Sequence, residues 1–166
     1  MWGTSMSQEV VDKRLSVTIT FLIEKEGKFL LIKRPSTESN YPDLWAFTGG
    51  RLEFGETLSQ ALTREVREET GLELTDEVAF LDSYFFSSKS NPNKGTLGIA
   101  VLVRCKDGDL VPFEYEEYAW ISNLEELKCY EHIRGIEYHM KRALEVLKNP
   151  YFYNIELLNL TEDKYE

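Results

Sequence analysis

A chain of 166 residues, 42% of them hydrophobic, is long enough to bury a sizeable core in one globular domain and needs no second one. Its formal net charge of −10 argues against adhesion to nucleic acid or to an anionic membrane, so an anionic substrate would need a metal bridge or a local basic lining. Cys105 and Cys129 have no metal-type spacing, and neither a signal peptide nor a bilayer-length apolar run is present, so the expected setting is a reducing cytoplasm.

Met1-Trp2-Gly3-Thr4-Ser5 precedes a second methionine, Met6, and reads as a cloning remnant ahead of one domain spanning residues 6–166. Ser16 to Ile23 (SVTITFLI) is β-branched and aromatic, as a strand should be. Glu26-Gly27 turns it into Lys28 to Lys33 (KFLLIK), a hairpin. Arg34-Pro35 ends the second strand, and the polar loop from Ser36 to Asp43 delivers Trp45 to the glycine pair Gly49-Gly50.

Thr57 followed by Gln60 is a capping-box start and Gly71 a left-handed stop, which predicts a helix over 58–70. At about 100° per residue, Leu58, Ala61, Leu62 and Val66 form one apolar stripe that Glu65 and Glu69 continue, with Glu68 at its margin. The body-facing side thus changes from hydrocarbon to carboxylate within two turns. Glutamates there face the negative end of the helix dipole, at a cost of about 0.3–1 kcal/mol each, and repel one another. Arg64 and Arg67, on neighbouring faces, offset part of this. A hard divalent cation is the simplest remaining counter-charge, and a partial cage of carboxylates suits Mg²⁺; an ordinary acidic helix is the competing reading.

Further on, Ala79 to Phe86 and Thr96 to Arg104 read as strands, the second a nearly continuous apolar run of the centrally buried kind. The loop between them, Ser87 to Gly95, carries Lys89 and Lys94, which could reach phosphates or simply be solvated. Asp107-Gly108 is a tight turn, Ser122 to Leu127 a short capped helix, and Glu131 to Lys148 a longer helix. Its expected apolar face is Ile133, Ile136, Tyr138, Met140, Ala143, Leu144 and Leu147. His132 and His139, seven apart on that helix, are read as structural rather than as ligands. The aromatic tail from Tyr151 to Leu160 should pack on the domain or make a dimer contact.

The stretch from Gly50 to Leu72 resembles the signature of the Nudix hydrolase family, G-x5-E-x7-R-E-U-x-E-E-x-G-U with U aliphatic, in Gly50, Glu56, Arg64-Glu65-Val66, Glu68-Glu69 and Gly71-Leu72. The motif fills 23 residues, a seventh of the chain, and every fixed position is present. Thr48 stands where the family often has proline, a departure shared with a minority of members that includes bacterial dihydroneopterin triphosphate pyrophosphatases. Glu114 to Ser122 is similar to the acidic segment and Trp-containing strand that follow the box in many members.

The resemblance implies an α/β/α sandwich with a mixed β-sheet between helices, where pattern alone gives mixed α/β. It implies Mg²⁺, with Mn²⁺ as a substitute, held by Glu65, Glu68, Glu69 and the Gly50 carbonyl. Arg64 would orient a box glutamate and Glu56 would support the loop–helix junction. Glu114 and Glu117 are the candidates for the general base, since a metal-bound carboxylate is a poor base; Arg34, Trp45 and Lys89 are the candidates for substrate contact. The implied reaction is hydrolysis of a diphosphate linkage in a nucleoside diphosphate joined to some group X. A (deoxy)nucleoside or pterin triphosphate is the first expectation; ADP-ribose, a nucleoside diphosphate sugar or a dinucleoside polyphosphate is the second. A non-catalytic ligand-binding module is the reading of another class, disfavoured by the intact box. The partners expected are thus a nucleotide-type small molecule and, in a dimer, a second copy of the chain.

Overall fold

The computed structural model describes residues 13–87, 91–111, 115 and 117–155. In chain order the elements are β1 (Arg14–Lys25), β2 (Lys28–Lys33), β3 (Trp45–Ala46), β4 (Thr48–Arg51), α1 (Leu58–Thr70) and β5 (Leu74–Ser87). β6 (Lys94–Cys105), β7 (Tyr118–Ile121), α2 (Leu124–Leu127), α3 (Ile136–Lys148) and β8 (Tyr153–Asn154) complete them.

The strands form one mixed sheet in the order β3-β2-β1-β6-β5-β8, with β4 paired to β1 and β7 to β2. β1 and β6 run parallel at its centre, in register from Arg14↔Lys94 to Glu24↔Arg104; the other pairings are antiparallel. Both central strands are buried on two faces, which is why their sequences read as apolar runs. On one face Ile19, Phe21, Ile23, Val101 and Val103 meet Ala61, Leu62 and Val66 of α1. On the other, Leu22, Ala100 and Leu102 meet Leu127 of α2 and Ile136, Met140 and Ala143 of α3. Two apolar layers around a sheet, each closed by helix, make the expected α/β/α sandwich.

Local chemistry sets the element ends. Glu26 (φ 52°) and Gly27 (φ 76°) are both left-handed, the primed turn that suits a two-residue hairpin. Around α1, the Gln60 amide donates to Thr57 Oγ1 at 3.2 Å and the Thr57 amide to Gln60 Oε1 at 2.9 Å. Gly71 closes the helix at φ 70°, its amide donating to the Arg67 carbonyl at 3.0 Å.

Three expectations need correction. The long helix starts at Ile136, not Glu131, because the preceding residues bridge to β3: the Trp45 amide donates to the Glu131 carbonyl and the Ile133 amide to the Trp45 carbonyl. Gly135 at φ 102° then turns the chain into the helix. His132 therefore precedes α3 and shares no helix face with His139, and Tyr138 points outward at 52% exposure. The strands flanking the 88–93 loop also run further than expected, so that Lys94 is the first residue of β6.

At the far edge β8 adds to β5, Ile155 enters the α1-side core, and Phe152 lies under the Arg104 guanidinium at 4.4 Å. The tail thus packs on the domain as far as Ile155; its remainder, the first 12 residues, Lys89 and Glu114 lie outside the described residues.

His139 is buried against Tyr84, ring centroids 5.3 Å apart, and its Nδ1 has no hydrogen-bond partner among the described residues. Burial holds its pKa below the ordinary 6.5, against an opposing pull from Asp82. The unfolded chain therefore takes up a proton as pH falls through about 6.5 and the native chain takes it up only at lower pH, so stability declines below that point. The urea midpoint is expected to drop between about pH 7 and pH 5.5, with a flatter slope in His139→Phe. Identical slopes would exclude His139 as the source.

Candidate active site

The site is built where β4 crosses β1 and α1 returns beneath it. Register places Gly49 opposite Thr20 and Gly50 opposite Ile19. A Cβ at Gly49 would stand 2.5 Å from the Ile19 carbonyl oxygen, and one at Gly50 would overlap the Glu65 carboxylate. The two glycines bring backbone and helix side chains into direct contact. Glu65 Oε1 accepts from the Arg51 amide at 3.1 Å, and Glu69 Oε2 from the Gly49 amide at 3.2 Å. The carboxylates that continue the apolar stripe are therefore seated on the backbone of β4.

Arg64 organises the rest. Its Nε and Nη2 donate to the two oxygens of Glu56 at 2.7 and 2.8 Å, and Nη2 also donates to the Arg51 carbonyl at 3.0 Å. Nη1 donates to Glu65 at 2.8 Å and to Glu68 at 3.1 Å. All five guanidinium N–H groups are thereby matched to acceptors, a fork that a lysine ammonium could not reproduce. These hydrogen bonds, that to Glu56 foremost, raise the Arg64 pKa. Arg64 in turn, with the Glu53 amide at 2.9 Å, lowers the Glu56 carboxyl from 4.5 to about 2. A depressed carboxylate stabilises the fold above its unfolded value and stops doing so as pH falls through the folded one, so the clasp holds until about pH 2.

The glutamates differ in exposure. Glu69 is 5% exposed, and its Oε1 accepts from the Tyr115 hydroxyl at 2.8 Å. Glu65 has a side chain 12% exposed, while that of Glu68 is 57% exposed. Among the described residues no three His, Cys, Asp or Glu side chains converge in advance on one point; Arg64 Nη1 bridges Glu65 and Glu68 instead. The donors are carboxylate oxygens set against a strand lacking side chains at two successive positions, a set that fits a hard divalent cation completing its shell with water or phosphate.

The other described sequence candidates make contacts of their own. Trp45 lies on β3, edge-on to Tyr130 with centroids 4.7 Å apart. Arg34 closes the polar loop, its Nε donating to the Asn40 carbonyl at 3.0 Å and Nη2 to Glu38 at 3.2 Å. Glu117 pairs with Lys33 Nζ at 2.6 Å on the β2–β7 side of the sheet. Arg64, expected to orient one box glutamate, binds Glu56, Glu65 and Glu68 directly. Tyr115 and the Gly49 and Arg51 amides were missed, since nothing in an acidic segment or a glycine pair marks a donor aimed at a helix 14, 20 or 46 residues away in sequence.

The profile of the NUDIX domain family matches residues 12–142, and the chain belongs to that family of pyrophosphohydrolases. Among its relatives is an ADP-ribose pyrophosphatase of Methanocaldococcus jannaschii, 28% identical over 85% of this chain and 88% of that protein. A nucleoside triphosphatase NudI of Salmonella agona is 32% identical over 66% of this chain and 83% of its own length. A CTP pyrophosphohydrolase of Escherichia coli is 47% identical over 57 residues, 34% of this chain and 42% of that protein. The solution structure of the E. coli ORF135 protein superposes with a TM-score of 0.64 at 27% identity, covering 83% of this chain and 94% of that one. A NUDIX hydrolase from Nitrosomonas europaea, at 24% identity and a TM-score of 0.65 over 89% of this chain and 98% of its own, attests the fold alone. Nudix hydrolases generally use divalent metals. No helix among the described residues is long and apolar enough to cross a membrane.

Because a side chain at Gly50 must displace the Glu65 carboxylate, Gly50→Ala is expected to lower kcat/KM at least about a hundredfold, the scale of an ångström-level misplacement. Far-ultraviolet circular dichroism should stay native. Near-wild-type turnover in Gly50→Ala would show that Glu65 is not placed by this contact.

Proposed function

We propose that the protein hydrolyses a nucleoside triphosphate or a related pterin triphosphate in the presence of Mg²⁺, with Mn²⁺ able to replace it. The observation that carries this reading is the seating of Glu65 and Glu69 on the Arg51 and Gly49 amides, with Arg64 clasping Glu56, Glu65 and Glu68. Glu65, Glu68, Glu69 and the Gly50 carbonyl would hold the metal. The metal, when bound, neutralises charge on the phosphate oxygens as the linkage breaks. In the reaction a water oxygen forms a bond to one phosphorus, the bridging P–O bond breaks, and the departing phosphate leaves with that bridging oxygen.

The chain's own residues divide the remaining work. Arg64 and Glu56 hold the loop against the helix, and the β4 amides orient Glu65 and Glu69. The box glutamates being committed to metal, the attacking water would lose its proton to a carboxylate of the acidic segment, Glu114 or Glu117. Pairing with Lys33 ties up Glu117, so Glu114 is the better candidate. For substrate contact, Trp45 and Lys89 remain the proposed groups, Arg34 being engaged in closing its own loop.

The triphosphate reading is supported by the nucleoside triphosphatase and CTP pyrophosphohydrolase relatives. A second reading, hydrolysis of ADP-ribose, is favoured by the relative that aligns over 85% of this chain. The two separate in one screen. Incubation with Mg²⁺ and a panel of ribo-, deoxyribo- and pterin triphosphates should release pyrophosphate, whereas release of AMP from ADP-ribose with inert triphosphates would establish the second.

Within the preferred reading, Glu69→Gln is expected to lose at least about a hundredfold in kcat, as removal of a charge-stabilising element commonly does. Mg²⁺ should raise the melting temperature of the wild type relative to EDTA, since a cation relieves the crowded carboxylates. Full Mg²⁺-dependent turnover by Glu69→Gln would remove the metal assignment. Glu114→Gln should depress kcat and flatten the acidic limb of the pH–rate profile while sparing metal affinity; an unchanged profile would return the search for a base to the box.

A further inference from the structure

We propose that Tyr115 is a positioning residue for Glu69, fixing the carboxylate plane from the side that β4 cannot reach. The inference rests on the reading of Glu69 as a metal ligand. Glu69 lies near the C-terminal end of α1, where the helix dipole disfavours negative charge, and is 5% exposed. A carboxylate in such a place keeps a fixed orientation only if donors hold it. The Gly49 amide donates to Oε2 and the Tyr115 hydroxyl to Oε1, so the two oxygens are held from two different segments of the chain.

The tyrosine is itself fixed by the chain that carries it. After β6, the Lys106 amide donates to the Glu73 carbonyl at 2.8 Å and the Val111 amide to the Thr70 carbonyl at 2.9 Å, strapping this segment across the end of α1. Leu110 and the Tyr115 ring pack on the α1-side core, and past the tyrosine the Lys33 amide donates to the Glu117 carbonyl at 2.9 Å. Described residues on both sides of the tyrosine are therefore tied down, Lys106 and Val111 to the end of α1 and Glu117 to β2. Phenylalanine would keep the ring packing and delete only the hydroxyl, which separates positioning from bulk.

Outer groups that orient metal ligands typically contribute 10- to 100-fold to metal affinity. Mn²⁺ titrations followed by electron paramagnetic resonance would compare wild type, Tyr115→Phe, Glu69→Gln and the double variant, with melting temperatures in EDTA as the check on folding. Tyr115→Phe is expected to bind Mn²⁺ at least about tenfold more weakly at an unchanged melting temperature. The double variant should be no weaker than Glu69→Gln alone, because the positioning role reaches the metal through that carboxylate. Saturating Mn²⁺ should restore kcat in Tyr115→Phe and not in Glu69→Gln. Wild-type Mn²⁺ affinity in Tyr115→Phe with weakened binding in Glu69→Gln overturns the positioning role alone, as does an additive loss in the double variant. Wild-type affinity in Glu69→Gln overturns the ligand reading and the inference with it.

Discussion

The loop and the helix that make the candidate site are joined by one guanidinium. Arg64 meets five acceptors with five N–H groups, joining the loop through Glu56 and the Arg51 carbonyl to the helix through Glu65 and Glu68. Three like charges so close would otherwise spread apart, and a surface ion pair alone, at roughly 0–1 kcal/mol, would not restrain them. A planar, bidentate and saturated network does, because each acceptor fixes the direction of the next. The charge also favours ionised carboxylates, which a cation requires of its ligands.

The scaffold makes that network possible by removing side chains where backbone must come close. Gly49 and Gly50 let β4 lie against β1 on one side and the α1 carboxylates on the other. The helix below is anchored by Ala61, Leu62 and Val66 in the core, one turn from the glutamates. Hydrophobic burial thus sets the height and rotation of α1, and the carboxylates inherit their position from the same stripe.

Much of this was legible in the chain because it is written in local chemistry. Thr57, Gln60 and Gly71 mark both ends of α1 through side-chain and dihedral preferences that act within a turn, and the observed helix has the expected limits. The stripe that ends in Glu65 and Glu69 is equally local, a matter of angle around one axis. What escaped depends on partners distant in sequence. Glu131 to Arg134 has helical periodicity, yet β3 claims its backbone through Trp45, and no window around residue 131 contains Trp45. Tyr115 escaped for the same reason, since its target lies 46 residues earlier. Glu117 was legible as an acid near the box but not as the partner of Lys33, a pairing created by sheet register.

The parallel ladder between β1 and β6 has a consequence for how the chain reaches this state. Ser16 and Thr96, hydrogen-bonded side chain to side chain at 2.8 Å, are 80 residues apart in sequence. Helix α1 and the β1–β2 hairpin can form from neighbours, but the centre of the sheet must wait for a loop of that length to close. Chains dominated by such distant pairings fold in milliseconds to seconds rather than microseconds. During that interval the apolar residues Ile19, Phe21, Leu22 and Ile23, buried in the finished sheet, stay in water beside an unpaired strand edge, the state in which a chain of this kind is most prone to aggregate.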